Sequence, residues 1–275
     1  MPETERTVEN EGVSLAVFED GEGPAVVLLH GLTATHRYVV MGSNALPRAG
    51  FRTVSYDARG HGASSPGPSY SYAALAGDLG ALLDALGIER AVLAGASMGA
   101  HTLLRFALEA PARVAGLVVV TPAFLPDAVD DPARAQHWHA LAAGLRSGGV
   151  DGFLQAYGEP DVPESMRATV LDVLRQRLSR HEHPESVADA LDEVPVSRPF
   201  DSLDELASIA APTTVVASRD EADPEHPYAV GEVYAEAIPG ARLVSEEPGA
   251  SPLAWQGAQV SRVISDAAAA GAASP

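Results

Sequence analysis

Residues 91–108 constrain the fold more than any other stretch: Ala-Val-Leu-Ala-Gly-Ala-Ser-Met-Gly-Ala-His-Thr-Leu-Leu-Arg-Phe-Ala-Leu. Residues 91–94 form a short apolar run of strand type. Beyond it, apolar residues return at helical spacing, at Met98, Leu103, Phe106 and Ala107. Between the two patterns stands Gly95-Ala96-Ser97-Met98-Gly99, a Gly-x-Ser-x-Gly pentapeptide. A strand that turns this abruptly into a helix forces its central residue into a strained conformation, and the flanking glycines keep the turn free of Cβ clashes. The hydroxyl of Ser97 then projects at a helix N-terminus, where backbone N–H groups face any developing anion. Ser97 is the candidate nucleophile. The competing reading is a glycine-eased turn in which the serine has no chemical part.

Composition narrows the chemistry further. All 18 basic residues are arginine, so a Schiff-base lysine, a pyridoxal-phosphate enzyme and a P-loop lysine are excluded. A formal charge of −19 speaks against nucleic acid or an anionic membrane as partner, since both are polyanions. Its plainest meaning is solubility. The absence of cysteine excludes disulfides and thiolate metal sites. The acidic opening Met-Pro-Glu-Thr-Glu-Arg leads into no apolar stretch, which does not fit a signal peptide. The longest apolar runs, 25–29 and 117–120, fall far short of the ~20 residues a bilayer span needs. A cytoplasmic protein is the expectation.

Along the chain, residues 4–18 read as two edge strands with a turn at Glu11-Gly12, and Gly21-Glu22-Gly23-Pro24 breaks them off. Residues 25–29 are an uninterrupted apolar strand of the kind buried on both faces, ending in His30-Gly31-Leu32-Thr33. A helix is expected within 35–48 and a strand over 51–56, which runs into Asp57-Ala58-Arg59-Gly60-His61-Gly62. The amphipathic stretch 71–86 stops at Gly87, a C-cap signal. After the Ser97 unit, residues 113–121 give another buried strand. Strands alternating with helices predict parallel pairing in a doubly wound sheet. From Pro122 the rhythm changes, and 125–205 holds helical patterns (133–145, 163–180) without a convincing strand. It resumes with a strand at 213–218, an acidic loop at 219–227, a helix at 228–238, a strand at 241–245 and a helix at 254–268, before a tail expected to fray.

This order of strands and motifs resembles the α/β-hydrolase family over nearly the whole chain. His30-Gly31 after the third strand, Asp57 to Gly62 after the fourth and the pentapeptide after the fifth carry the resemblance. It implies an α/β fold with a mostly parallel, doubly wound sheet. Residues 1–124 and 206–275 would form the core, with a helical cap inserted at 125–205. It also implies Ser97 as nucleophile and an oxyanion hole made by the backbone N–H groups of Leu32 and Met98. His30 and His61 would shape loops. The acid of the family follows the strand at 213–218, where Asp220, Glu221 and Asp223 all qualify; an acidic surface loop is the plainer alternative.

The departure is the base. Members of the family carry a histidine after the last strand, but here that loop reads Glu246-Glu247-Pro248-Gly249-Ala250-Ser251-Pro252-Leu253, and no histidine follows His226. A serine hydroxyl has no appreciable anionic fraction near neutral pH, so acyl transfer needs a base. His226 on the acid loop is one source, oriented by Asp220 or Asp223, because a triad is defined by geometry and not by chain order. His101, one turn along the helix from Ser97, is a second, though a packed helix histidine is the plainer account. The cap pairs His137/His139 and His181/His183 are a third, with solvated surface histidines as their plainer account. No metal-ligand set and no cofactor motif is present.

The expected function is a hydrolase acting on a small carboxylic ester or lactone through an acyl-enzyme. Phe124, Trp138, Leu141, Phe153 and Tyr157 supply either a hydrophobic pocket or the cap's own core. The alternative keeps the fold and drops hydrolysis: a cyclase, lyase or isomerase, or a protein that only binds a small molecule. Epoxide-hydrolase or dehalogenase chemistry with an aspartate nucleophile is excluded by Ser97. Oligomeric state is beyond the sequence.

Overall fold

A computed structural model describes residues 3–272. Its strands are β1 (Thr4–Asn10), β2 (Val13–Asp20), β3 (Ala25–Leu29), β4 (Arg52–Tyr56), β5 (Ala91–Ala96), β6 (Val114–Val120), β7 (Thr213–Val216) and β8 (Arg242–Val244). They form one sheet in the order β1-β2-β4-β3-β5-β6-β7-β8. β2 pairs antiparallel with β1 and β4, and every other neighbour is parallel. β2 is thus an inner strand and not the edge strand the sequence suggested; the tight turn at Glu11-Gly12 leaves β1 alone at the edge.

The helices are α1 (Ala45–Arg48), α2 (Tyr72–Ala85), α3 (Met98–Glu109), α4 (Pro132–Tyr157), α5 (Glu164–Leu178), α6 (Pro184–Glu193), α7 (Tyr228–Ala237) and α8 (Gly257–Ala272). Alternation along the strands sorts the sheet's side chains into two cores. Val27, Leu29, Leu93, Leu117, Val119 and Val215 pack on one face with Leu79 and Leu82 of α2, Leu103 of α3 and Tyr234 of α7. Val26, Leu28, Val92, Val118, Val120 and Val216 pack on the other with Leu46 of α1 and Val260 and Ile264 of α8. Burial on both faces explains why these strands read as unbroken apolar runs, each large side chain contributing roughly 1.5–3 kcal/mol.

Register then positions the site. Leu29 lies beside Gly95, Gly95 beside Val119 and Val119 beside Val215. The central strands therefore end level, and the loops that begin at His30, Ser97, Thr121 and Ala217 share one edge of the sheet. Open parallel sheets bind ligands at that edge.

Two expectations are corrected here. Residues 35–48 form no single helix: a 3-10 turn at His36–Tyr38 and the one-turn α1 flank Met41 and Gly42, whose φ values of 48° and 71° no helix tolerates. Residues 268–272 continue α8 where fraying was expected; residues 273–275 of that tail lie outside the described residues.

Between β6 and β7 the described residues contribute only helices. α4 breaks at Gly149 (φ 60°), and its halves fold back so closely that a Cβ on Gly144 would lie 2.5 Å from the Gly152 carbonyl oxygen. Leu141, Leu145, Phe153, Leu178, Val187 and Leu191 form the segment's own core. α6 is fastened to the sheet's loops at both ends. Before it, the His181 ring accepts from Gly62 N–H (2.8 Å) and donates to the Thr33 carbonyl (2.9 Å). At its end, Glu193 accepts from the Ser69 hydroxyl (2.5 Å) and the Tyr70 N–H (2.7 Å). No described helix is long and apolar enough to cross a membrane.

Candidate active site

Ser97 sits at φ 52°, ψ −114°, between the end of β5 and the first turn of α3. The turn is possible only because its neighbours lack side chains. A Cβ on Gly99 would lie 2.1 Å from the Leu29 carbonyl oxygen, and one on Gly95 would lie 2.5 Å from the carbonyl carbon of Gly99. The strain at Ser97 presents its hydroxyl to a cavity on the loop edge of the sheet.

The loop after β7 supplies the partners. It turns back on itself through Asp223 N–H to Asp220 O (3.3 Å) and His226 N–H to Asp223 O (3.2 Å). These turns bring Asp223 and His226 to the same side. His226 Nδ1 lies 2.7 Å from Asp223 Oδ1, and its Nε2 lies 2.8 Å from Ser97 Oγ. The carboxylate accepts a hydrogen bond from Nδ1–H, which leaves the Nε2 lone pair facing the serine hydroxyl. Burial pushes the Asp223 carboxyl up. The hydrogen bond from His226 and the charges of His226 and Arg177 outweigh that and hold it below the ordinary value.

Asp220 does not join them. Its Oδ2 accepts from Trp255 Nε1 at 2.5 Å and its Oδ1 from Ala222 N–H at 2.9 Å, so it faces away from His226. Glu221 is exposed. The short loop after β8, where the sequence lacks a histidine, braces the Asp223 loop instead. Glu246 accepts from the Arg219 amide, and Ser218 Oγ accepts from Ala254 N–H at 3.1 Å.

Leu32 and Met98 both line the cavity with Ser97, and neither backbone N–H has an acceptor among the described residues. Gly31 brings the first of these loops against the elbow: a Cβ there would touch the Ser97 Cβ at 3.4 Å. The remaining histidines have other occupations. His30 Nε2 accepts from Ala58 N–H (2.9 Å) and Nδ1 donates to Gly31 O (2.8 Å); burial lowers its pKa to about 4. His61, buried and held neutral well below its ordinary value, donates from Nδ1 to Arg59 O. His101 Nε2 accepts from both Ala123 and Phe124 N–H (3.1 Å each), so Nδ1 carries the proton and donates to Tyr72 Oη. Burial, and secondarily the charges of His226 and Arg134, lower its pKa to about 3. With both nitrogens engaged, it has no lone pair for Ser97. His139 pairs with Asp192, and His137 lines the cavity. His181 is a half-buried clasp and not the solvated surface residue expected.

The cavity measures about 460 Å³, within the range of small-molecule sites, and a smaller one of about 90 Å³ lies on the Tyr38 and Thr121 side of Ser97. Trp138, Leu141, Phe153 and Tyr157 serve as both cavity wall and part of the helical segment's core, whereas Phe124 belongs to the main core. Tyr72, Arg177 and Trp255 also line the larger cavity. Nothing in their sequence surroundings distinguishes them from ordinary helix and loop residues. Among the described residues no three carboxylates or imidazoles converge as metal ligands.

Comparison with known proteins agrees with this architecture. The family described as alpha/beta hydrolase fold matches residues 24–257. A putative carbamate hydrolase from Variovorax paradoxus is 31% identical over 222 residues, covering 75% of this chain and 77% of its own length. An epoxide hydrolase from Caballeronia sordidicola is 42% identical over 112 residues, 40% of this chain. The chain spans only about a third of that protein's length, as it does for other curated relatives it matches first. Among solved structures, a thermophilic esterase from Thermogutta terrifontis superposes with a TM-score of 0.78 at 28% identity, covering 97% of both chains.

Proposed function

The chain belongs to the α/β-hydrolase family, and from that premise we propose that it is a serine hydrolase cleaving a small-molecule carboxylic ester or lactone through an acyl-enzyme. The observation that carries this reading is the placement of His226 between Ser97 and Asp223 at 2.8 Å and 2.7 Å. It supplies from one loop the base that the β8 loop lacks.

In the proposed reaction, His226 Nε2 takes the hydroxyl proton as Ser97 Oγ attacks the carbonyl carbon. Asp223 holds the ring's tautomer and stabilises the imidazolium. The Leu32 and Met98 amides receive the tetrahedral oxyanion, a contribution typically worth about 3–4 kcal/mol per donor. The imidazolium returns its proton to the leaving alkoxide as the C–O bond breaks; in a lactone the freed hydroxyl stays on the acyl chain. A water molecule, deprotonated by His226, then attacks the acyl carbonyl, releases the carboxylic acid and restores Ser97. The helices over 125–205 act as a cap that encloses the acyl group among Trp138, Leu141, Phe153 and Tyr157.

The test is covalent labelling by a fluorophosphonate, read by intact mass. Wild-type protein gains one adduct, and both Ser97→Ala and His226→Ala lose it. A folded wild-type protein that takes no label ends the proposal.

A further inference from the structure

Arg177, near the end of α5, lines the larger and the smaller cavity together with Ser97, Asp223 and His226. Its guanidinium carbon lies 5.3 Å from the Tyr38 ring centre and 4.9 Å from that of Trp255. Asp220 fixes the Trp255 indole in turn, so one of the two aromatic surfaces against the cation has a set position. Aromatic faces attract a cation but offer no acceptor to its five N–H donors. Its Nε is buried without a hydrogen-bond partner, and the side chain makes no hydrogen bond or ion pair with the described residues.

Arg134 of α4, which also lines the larger cavity, likewise has no hydrogen bond or ion pair with the described residues, but Arg177 alone of the two also lines the smaller cavity beside Ser97. Arg175, two residues earlier, and Arg146 and Arg167 in the same helical segment are each held by a carboxylate. Burial lowers the pKa of Arg177, and the charge of Asp223 offsets this through space, without a hydrogen bond between the two. A guanidinium remains charged regardless. An Nε–H shut off from water without an acceptor is costly, and a planar carboxylate is the ligand that satisfies the guanidinium fork in two places at once.

We infer that Arg177 is a specificity-determining residue that receives a carboxylate of the substrate. The ester or lactone cleaved at Ser97 therefore carries a second, ionised carboxyl group. This rests on the hydrolase reading above for the reaction, but its test does not require turnover. The rest of the cavity wall, largely Leu141, Phe153, Val170, Val173 and Leu174, takes the apolar remainder.

The experiment is calorimetric titration of the Ser97→Ala protein with monomethyl glutarate and with dimethyl glutarate at pH 7.5. The hemiester binds at least about tenfold more tightly than the diester, the worth of a charge-assisted hydrogen-bond pair. In Ser97→Ala/Arg177→Gln that preference vanishes, and Ser97→Ala/Arg177→Lys retains part of it. Equal binding of the two probes by Ser97→Ala overturns the inference, whether or not the Arg177 variants fold. So do binding of neither probe and a preference that survives Arg177→Gln. Failure of fluorophosphonate labelling would instead strike the hydrolase reading and leave the binding ratio to stand or fall alone.

Discussion

The imidazole of His226 and the carboxylate of Asp223 meet at 2.7 Å from positions three residues apart in one loop. Their distance is set by local turns of the backbone and not by the packing of two separate strands. Asp220, closer to the strand end, is turned toward Trp255. Asp223→Asn lowers kcat by about 10⁴, the cost of presenting the wrong imidazole tautomer to the serine. Asp220→Asn, which keeps an acceptor for the indole, changes kcat by no more than about twofold, as expected of a residue outside the relay. Steady-state kinetics on a p-nitrophenyl ester separate the two; the opposite ranking would move the acid to Asp220.

His101 is expected to matter for folding and not for the serine. His101→Leu strands the Ala123 and Phe124 N–H groups without an acceptor, at a cost of about 2–4 kcal/mol by urea denaturation. The folded fraction still takes the fluorophosphonate. Loss of labelling from well-folded His101→Leu would mean that His101 serves Ser97 after all.

Acid should loosen the fold well before carboxylates protonate. His30 and His101 titrate near 6.5 when unfolded but are held to about 4 and about 3 in the folded chain. Below pH 6.5 the unfolded chain binds protons that the folded chain refuses, so this stability is complete above pH 6.5 and declines as pH falls toward 4. Between pH 6.5 and 5 each histidine withdraws about 2 kcal/mol. Asp57 and Asp223, whose pKa values are lowered, add their own loss only at still lower pH. Urea midpoints at pH 7.5, 6 and 5 measure it; a midpoint constant over that range contradicts the buried neutral state.

Two glycines should respond in opposite directions. Gly99→Ala drives a Cβ to within 2.1 Å of the Leu29 carbonyl oxygen, and backbone cannot yield as a side chain would. The expected cost is about 3 kcal/mol or more, together with loss of Ser97 labelling. Gly77 is exposed in the middle of α2, and nothing lies within 4 Å of a Cβ added there. Gly77→Ala raises stability by about 0.5–1 kcal/mol. Thermal unfolding of the two variants beside wild type decides both.

Much of the core was legible because its signals are local. Apolar runs marked the parallel strands, and the small residues around Ser97 and Gly31 marked where strand ends meet helix and loop. That His226 could stand near the serine was open to the same logic, since the loop after β7 opens on the edge that carries Ser97, but the sequence left His101 and the histidines of 125–205 as rivals. The orientation of Asp220 was not legible, because it depends on an indole 35 residues away in sequence. Residues 35–48 misled for a related reason: helix-compatible side chains there are overruled by the left-handed backbone at Met41 and Gly42. Arg177 left no trace at all. Among the arginines of α5 only its surroundings set it apart, and those come from α5, the Tyr38 turn and the loop after β8 together.

The fastening of α6 at both ends also says how the helical segment is held over the site. With His181 clasped to Gly62 and Thr33, and Glu193 to Ser69 and Tyr70, α6 moves with the sheet. α4 is tied to α6 in turn, by His139 to Asp192, by Arg146 to Asp189 and Asp192, and by the core that Leu141, Leu145 and Phe153 share with Val187 and Leu191. α5 follows through Arg175 and Asp151. The roof over Ser97 is therefore keyed into the walls stone by stone, and the helix that bears Arg177 takes its place from the same masonry.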